Sequence, residues 1–162
     1  MSALSTLSRG MTRGLLVLGV SLALLPATAA AQSDRTPKLP IAWNRFYDAD
    51  DITKLSRQIA DTWPELCRYE SIGASFEGRP MPLLTIHNPA TGPEQGKAAM
   101  WIDGNVHGNE VQGAEAALYT AWWLLERYGD LDAITELVDD RVFYILPMVN
   151  PDGRQWWFDG PN

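Results

Sequence analysis

The sequence predicts an α/β fold in which helices flank a mixed, partly parallel β-sheet. Two observations predict this fold. Apolar residues recur at helical spacing through residues 111–128, and this long helix lies between two apolar strand-like runs, residues 98–103 and 141–149. The second run is almost wholly apolar, which is typical of a strand that is buried on both faces.

A helix and a hairpin are predicted before this unit. Apolar residues at helical spacing follow the acidic stretch of residues 48–51, and Pro64 ends the helix. Residues 67–76 and 81–86 are strand-like and surround a turn, which predicts a hairpin. Residues 88–96 contain prolines and glycines without an apolar pattern and are predicted to be a loop.

The predicted elements after the long helix are shorter. Gly129 is placed as the glycine that follows a helix end, and residues 131–138 are predicted to form a second, short helix. Residues 150–153, Asn-Pro-Asp-Gly, fit a type I turn. The aromatic residues 156–158 follow, and the sequence ends in loop-like residues, 160–162.

The first 31 residues are predicted to be a secretory signal peptide. Arg9 and Arg13 precede an apolar run, residues 15–25, and small residues follow Pro26. The run is shorter than the roughly 20 apolar residues that a membrane span needs. Residues 32–46 are then expected to be a loose mature N-terminus and residues 47–162 a single domain, in a periplasmic or extracellular protein with no membrane contact after removal of the leader.

Composition narrows the possible partners. Asp and Glu number 20 against 13 Lys and Arg, which argues against nucleic acid or an anionic membrane as a partner. Cys67 is the single cysteine, so no internal disulfide can form. Cys67 is expected to be a buried apolar filler and not a catalytic thiol.

The candidate site is the pair His107 and Glu110, three residues apart after the strand of residues 98–103. On the first turn of a helix this spacing places both side chains on one face, roughly 5–6 Å apart at Cβ. A neutral imidazole and a carboxylate are ligands that Zn²⁺ accepts. Alternatively, His107 satisfies a helix N-terminus and Glu110 is a first-turn acid favoured by the helix dipole.

Three blocks of sequence resemble the zinc carboxypeptidases, the carboxypeptidase A-like metallopeptidases, in order and spacing: residues 72–80, 101–110 and 147–153. The resemblance runs from about Tyr47 to Gly153. It implies a mixed eight-stranded sheet between helices, one Zn²⁺ and hydrolysis of the C-terminal peptide bond of a peptide or protein. His107 and Glu110 match the first two zinc ligands. Asn109 stands where animal digestive members usually have Arg, so their specificity does not carry over.

The family takes its third ligand, a His, from far downstream, together with its general-base Glu, a carboxylate-binding Arg and a Tyr. The sequence ends before any counterpart, so it resembles the N-terminal part of an exported metallocarboxypeptidase, incomplete at the C-terminus. His87, the other histidine, is interpreted as an ordinary strand-end histidine. Neither Glu115 nor Asp103 is a good candidate for the base, so no catalytic residue is assigned within the chain.

Three other interpretations remain open. The same fold and zinc pair could hydrolyse other amides, such as peptidoglycan peptides or acyl-amino acids. The protein could instead be a short, non-catalytic exported binding module, or it could hold no metal. A truncated chain is expected to expose an unpaired hydrophobic strand edge along residues 141–149 and to aggregate, whereas a binding module would be a folded monomer.

Overall fold

A computed structural model describes residues 36–160, and these residues form a mixed α/β fold, as the sequence predicts. The predicted signal peptide, residues 1–31, lies outside the described residues. In chain order the helices and strands are α1 (Ala49–Thr62), β1 (Cys67–Ala74), β2 (Pro80–Ile86), β3 (Ala98–Asp103), α2 (Gln112–Arg127), α3 (Asp132–Asp140), β4 (Arg141–Leu146) and α4 (Pro151–Asp159). Two short 3₁₀ turns lie in the predicted loop before β3.

The four strands form one sheet in the order β1-β2-β4-β3. β1 and β2 make the predicted antiparallel hairpin, β2 pairs antiparallel with β4, and β3 pairs parallel with β4. The parallel pair is joined by α2 and α3, which is the crossover that parallel strands require. The sheet is therefore mixed and partly parallel, and the carboxyl ends of β3 and β4 lie together.

The prediction of an unpaired edge along residues 141–149 is wrong. Ile145 of β4 is opposite Leu84 of β2 on one side and Ile102 of β3 on the other, so β4 is an inner strand. Its continuous apolar sequence reflects burial on both faces of the sheet, because four of its six residues are buried. Within residues 36–160 the edge strand on that side is β3, where Met100 and Trp101 are 54% and 52% exposed.

The core lies between the sheet and the two long helices. Ile52 and Ile59 on α1 are fully buried, and so are Ala114, Leu118 and Ala121 on α2, which confirms both helical patterns. α2 ends as predicted, because Gly129 adopts a φ of 76°, the left-handed conformation that terminates a helix at low cost for glycine.

Residues 36–46 contain no helix or strand, yet they contact α2. The backbone N–H of Leu39 donates to Glu126 Oε1 at 2.8 Å, and Trp122 Nε1 donates to the Leu39 carbonyl at 2.8 Å. Trp43 packs edge-on against Tyr119 with ring centroids 5.0 Å apart. The indole of Trp122 thus serves core packing.

The Asn-Pro-Asp-Gly stretch begins a helix, so the prediction that it forms only a turn is wrong. Asn150 is the N-cap of α4 and its side chain accepts from the Gly153 backbone N–H at 2.8 Å. Pro151 is the first helical residue, where a missing N–H costs nothing. A type I turn and a first helical turn share backbone angles, and here the aromatic residues after Gly153 continue the helix.

Among residues 36–160, no helix has the length and apolar character that crossing a membrane requires.

Candidate metal centre

His107 and Glu110 lie in the connection between β3 and α2, at the carboxyl end of a parallel strand. Sites of open α/β sheets form at this edge. α2 begins at Gln112, so the pair precedes the helix and the prediction that it lies on the first helical turn is wrong. Instead the pair sits on a turn that is closed by a hydrogen bond from the Glu110 N–H to the His107 carbonyl at 3.0 Å. We call residues 105–110 the metal turn.

The metal turn brings the two candidate donors together. His107 Nδ1 lies 3.1 Å from Glu110 Oε2, and the two side chains are 71% and 58% exposed. Two ligands at 2.0–2.2 Å from a tetrahedral Zn²⁺ are about 3.3–3.5 Å apart, so the pair needs only a slight opening to accept the ion. The turn borders a cleft of about 470 Å³ that also includes Asp103 and Gly113. Donor types and spacing therefore fit two positions of a zinc site.

A third donor is not beside this pair in the part of the chain that the structure describes. No group of three or more His, Cys, Asp or Glu side chains that could hold a metal ion occurs within residues 36–160. His87 follows β2, whose last residue, Ile86, pairs with Phe143 near the start of β4, so His87 lies at the opposite end of the sheet. It lines a separate cleft of about 560 Å³ beside α1 and β1.

The two acids considered as bases have other partners. Glu115 on α2 accepts a hydrogen bond from Arg154. Asp103 Oδ2 accepts from Trp101 Nε1 at 3.0 Å. Both carboxylates are therefore engaged by other side chains.

Asn105 stabilises the backbone of the metal turn, a role that the sequence interpretation missed. It is 3% exposed and has a φ of 56°, a conformation that Asn adopts more readily than most residues. Its Nδ2 donates to the His107 carbonyl at 2.9 Å and lies 3.4 Å from the carbonyls of Gly108 and Glu110. An Asn side chain that bonds to nearby backbone competes with helix formation, which explains why α2 starts later than predicted. The signal in the sequence is an Asn between a glycine and the candidate ligand.

Arg154 on α4 is the second residue that the sequence interpretation missed. Its side chain is fully buried and binds the carbonyls of Tyr47 and Val111, the amide oxygen of Asn105 and the Glu115 carboxylate. Burial lowers the pKa of its guanidinium, and the Glu115 charge opposes that effect. Its partners are far away in sequence, so only the fold reveals the role of Arg154.

A polar cluster joins the hairpin turn to α4. Asp152 accepts from Ser75 Oγ at 2.6 Å, from the Glu77 N–H at 3.0 Å and from Arg79 Nη1 at 2.9 Å. Partial burial raises the pKa of Asp152, but these hydrogen bonds outweigh it and leave the pKa below its ordinary value. The residues predicted to be turns of the fold, 77–79 and 150–153, are thus in direct contact.

Fold and site together define a mixed α/β domain with a candidate metal pair at the carboxyl edge of its sheet. The chain belongs to the zinc carboxypeptidase family, because residues 52–159 match the family model described as zinc carboxypeptidase. The resemblance found in the sequence is confirmed.

Individual relatives agree with this assignment. The chain is 34% identical over 137 residues to carboxypeptidase D of Drosophila melanogaster, an alignment that covers 80% of this chain and 10% of that protein. It is 32% identical over 113 residues to a Saccharomyces cerevisiae protein named inactive metallocarboxypeptidase ECM14, covering 68% of this chain and 26% of that protein. The family therefore includes members described as inactive.

Solved structures show the same fold. Carboxypeptidase A from Helicoverpa armigera superposes with a TM-score of 0.66 at 25% identity, covering 83% of this chain and 31% of that chain. Thrombin-activatable fibrinolysis inhibitor superposes with a TM-score of 0.68 at 24% identity, covering 77% and 31%. The chain thus spans about a third or less of each of these four proteins.

Proposed function

We propose that this protein is an exported zinc metallocarboxypeptidase that hydrolyses the C-terminal peptide bond of a peptide or protein. The family assignment supports a hydrolase of the metallocarboxypeptidase type. The observation that carries the proposal is the placement of His107 Nδ1 3.1 Å from Glu110 Oε2 at the end of a parallel strand. Because the chain spans only part of its relatives, the activity of the whole protein is a proposal.

His107 and Glu110 would hold the zinc ion. When bound, zinc lowers the pKa of its water to about 7 and polarises the scissile carbonyl. Within this chain, Asn105 holds the backbone that carries both donors, and the neighbouring cleft gives solvent and substrate access to them. The third ligand and the general base are proposed to come from residues other than 36–160.

The two-donor site predicts weak metal binding by residues 1–162 alone. A catalytic zinc needs three protein ligands, and the described residues bring two together. We therefore expect this chain to hold zinc weakly and to show no peptidase turnover. Tight, stoichiometric zinc together with carboxypeptidase turnover by the purified chain would contradict this expectation.

The metal pair is tested by comparing zinc uptake of the wild type with His107→Ala and Glu110→Gln, measured by competition with a chromophoric chelator. We expect both variants to lose the binding. His87→Ala is the matched control, because it removes the other imidazole at the opposite end of the sheet and should keep the wild-type value. Equal zinc uptake by the wild type and His107→Ala would overturn the assignment.

Export is tested separately. We propose that residues 1–31 direct export and are removed after Ala31. Fusion of residues 1–40 to a reporter that is active only outside the cytoplasm should give activity and a processed N-terminus at Gln32. Retention of the unprocessed fusion in the cytoplasm would contradict the proposal.

Two alternatives remain, and one of them has a specific observation in its favour. One relative is named as an inactive metallocarboxypeptidase, so the family includes a protein described as lacking this activity. This favours a non-catalytic exported binding module as the second candidate. A zinc-dependent amidase acting on peptidoglycan peptides or acyl-amino acids would use the same metal pair. A substrate panel of peptides, muropeptides and acyl-amino acids, assayed with the whole protein, separates the three, because the binding module hydrolyses none of them.

A further inference from the structure

We propose that Arg154 and Asn105 are positioning residues that together fix the metal turn in the conformation that brings His107 and Glu110 into contact. This inference rests on the proposed function, since it concerns the alignment of two proposed metal donors. Neither residue is a metal ligand in the proposal. Arg154 acts through Asn105, and Asn105 acts through the backbone of the metal turn.

The first step is the fixed position of Arg154. Its Nε donates to the Tyr47 carbonyl at 2.8 Å, and its Nη1 donates to the Val111 carbonyl at 2.8 Å and to Asn105 Oδ1 at 3.1 Å. Its Nη2 donates to Glu115. These partners come from the segment before α1, from the metal turn, from the start of α2 and from α2 itself. A planar guanidinium with rigidly placed donors can satisfy all of them at once, which the single ammonium of lysine cannot.

The second step is the orientation of the Asn105 amide. Arg154 can only donate, so it selects Oδ1 of Asn105 and turns Nδ2 toward the opposite side. On that side Nδ2 meets the carbonyls of His107, Gly108 and Glu110. If the amide were reversed, its oxygen would face three carbonyl oxygens and its NH₂ would face the guanidinium. Arg154 therefore determines that Asn105 presents a donor to the metal turn.

The third step is the effect on the two donors. The His107 carbonyl accepts both Asn105 Nδ2 at 2.9 Å and the Glu110 N–H at 3.0 Å, so the same oxygen anchors the turn and closes it. Both side chains are exposed, and among the described residues each has the other as its only side-chain hydrogen-bond or ion-pair partner. Their 3.1 Å separation is therefore set by the turn backbone, which Asn105 holds.

A purely structural role for Arg154 is the competing explanation, and Asn105→Asp separates the two. The aspartate can still accept from Arg154, now with a favourable charge, so the contact between α4 and the metal turn is kept. Its second oxygen can no longer donate to the turn carbonyls and repels them. Asp tolerates the positive φ of this position, and Asn105→Gly, which also tolerates it, removes the amide without adding charge.

The metal-free test measures amide hydrogen exchange at Glu110, whose N–H closes the metal turn. After correction for intrinsic rates, we expect exchange at Glu110 to become at least tenfold faster in Asn105→Asp, Asn105→Gly and Arg154→Lys, while amides in β4 keep their wild-type rates. Arg79→Lys is the matched control, because Arg79 also binds α4, through Asp152, without touching the turn. Unchanged exchange at Glu110 in both Asn105 variants would overturn the proposal.

The second test is a zinc titration followed by the imidazole resonances in NMR spectra. The chain has two histidines, so His87 is an internal reference for His107. We expect zinc to shift the His107 resonance of the wild type. In Asn105→Asp the apparent affinity for zinc should fall about tenfold or more, as it does when other groups that orient metal ligands are changed. The added charge alone would strengthen zinc binding, so a loss cannot come from electrostatics.

The two tests separate this inference from the proposed function. Absence of any zinc shift at wild-type His107 would remove the metal pair, and the exchange experiment would then decide by itself whether Arg154 and Asn105 position the turn. A wild-type zinc affinity in Asn105→Asp would overturn the positioning role while leaving the metal pair intact.

Discussion

Gly108 of the metal turn lies directly against Gly153 of α4. A Cβ added to Gly108 would be 2.3 Å from the carbonyl carbon of Gly153 and 2.4 Å from its carbonyl oxygen. Two of the three sequence blocks that resemble the zinc carboxypeptidases are thus packed backbone to backbone. The Asn-Pro-Asp-Gly stretch therefore supports the metal turn, although it lies far away in sequence.

This contact predicts that Gly108→Ala destabilises the protein. The methyl group would meet backbone atoms that cannot rotate away, so α4 or the metal turn must move, at a cost of about 1–3 kcal/mol. Urea unfolding measures the loss. Gly73→Ala is the control, because a Cβ at Gly73 has no atom within 4 Å, and it should leave the stability unchanged or slightly raised. Equal stability of Gly108→Ala and the wild type would contradict the packing.

The cap of α4 predicts a graded effect of two substitutions at Asn150. Its Oδ1 accepts from the Gly153 N–H at 2.8 Å and its Nδ2 donates to the Val106 carbonyl at 3.2 Å. Asn150→Ala loses both bonds and should cost about 1 kcal/mol of stability, as is usual for an N-cap. Asn150→Asp keeps the acceptor at a helix N-terminus, where negative charge is favourable, and should cost less. Thermal unfolding at low salt measures both variants, and a larger loss in Asn150→Asp than in Asn150→Ala would exclude this account of the cap.

The elements that the sequence predicted well are those that depend on local periodicity. The helix stripe of α2 and the apolar run of β4 need only short-range patterns, and both are observed. The candidate pair His107 and Glu110 also came from local spacing. Their contact is observed, but it is made by a turn that Asn105 maintains and not by helical phase.

The features that the sequence could not predict depend on partners that are distant along the chain. Strand order decides which strand is inner, and the apolar run of β4 is equally consistent with an inner strand and with an exposed edge. Arg154 resembles an ordinary surface arginine until α4 is placed against Tyr47 and Glu115. Residues 150–153 fit a turn and a helix start alike, and only the continuation of α4 distinguishes them.

His87 predicts a specific pH dependence of stability. Burial lowers the pKa of its imidazole below the ordinary value of 6.5, Lys97 acts in the same direction, and Glu94 opposes both. The unfolded chain therefore binds more protons than the folded protein as the pH falls below 6.5, so stability is lost in that window.

The measurement is the free energy of unfolding in urea between pH 7.5 and pH 5 for the wild type and His87→Gln. The variant keeps every other titrating group, so the difference between the two profiles isolates His87. We expect the wild-type stability to fall more steeply than that of the variant below pH 6.5. Parallel profiles would show that the His87 imidazole titrates alike in the folded and unfolded states.

We expect the Cys67 thiol to be unreactive until the protein unfolds. Its side chain is buried beside α1, and burial raises the pKa of the thiol to about 12, against the opposing effect of Arg68. The thiolate is the reactive form, so native protein at pH 8 should not react with a disulfide reagent over minutes, whereas protein in concentrated urea should react at once. Because Cys67 is the single cysteine, the signal reports this position alone, and Cys67→Ser gives the blank.

The ratio of the native and unfolded reaction rates then gives the free energy of the opening that exposes β1. Rapid labelling of the native protein would mean that the Cys67 side chain is not buried as the structure has it.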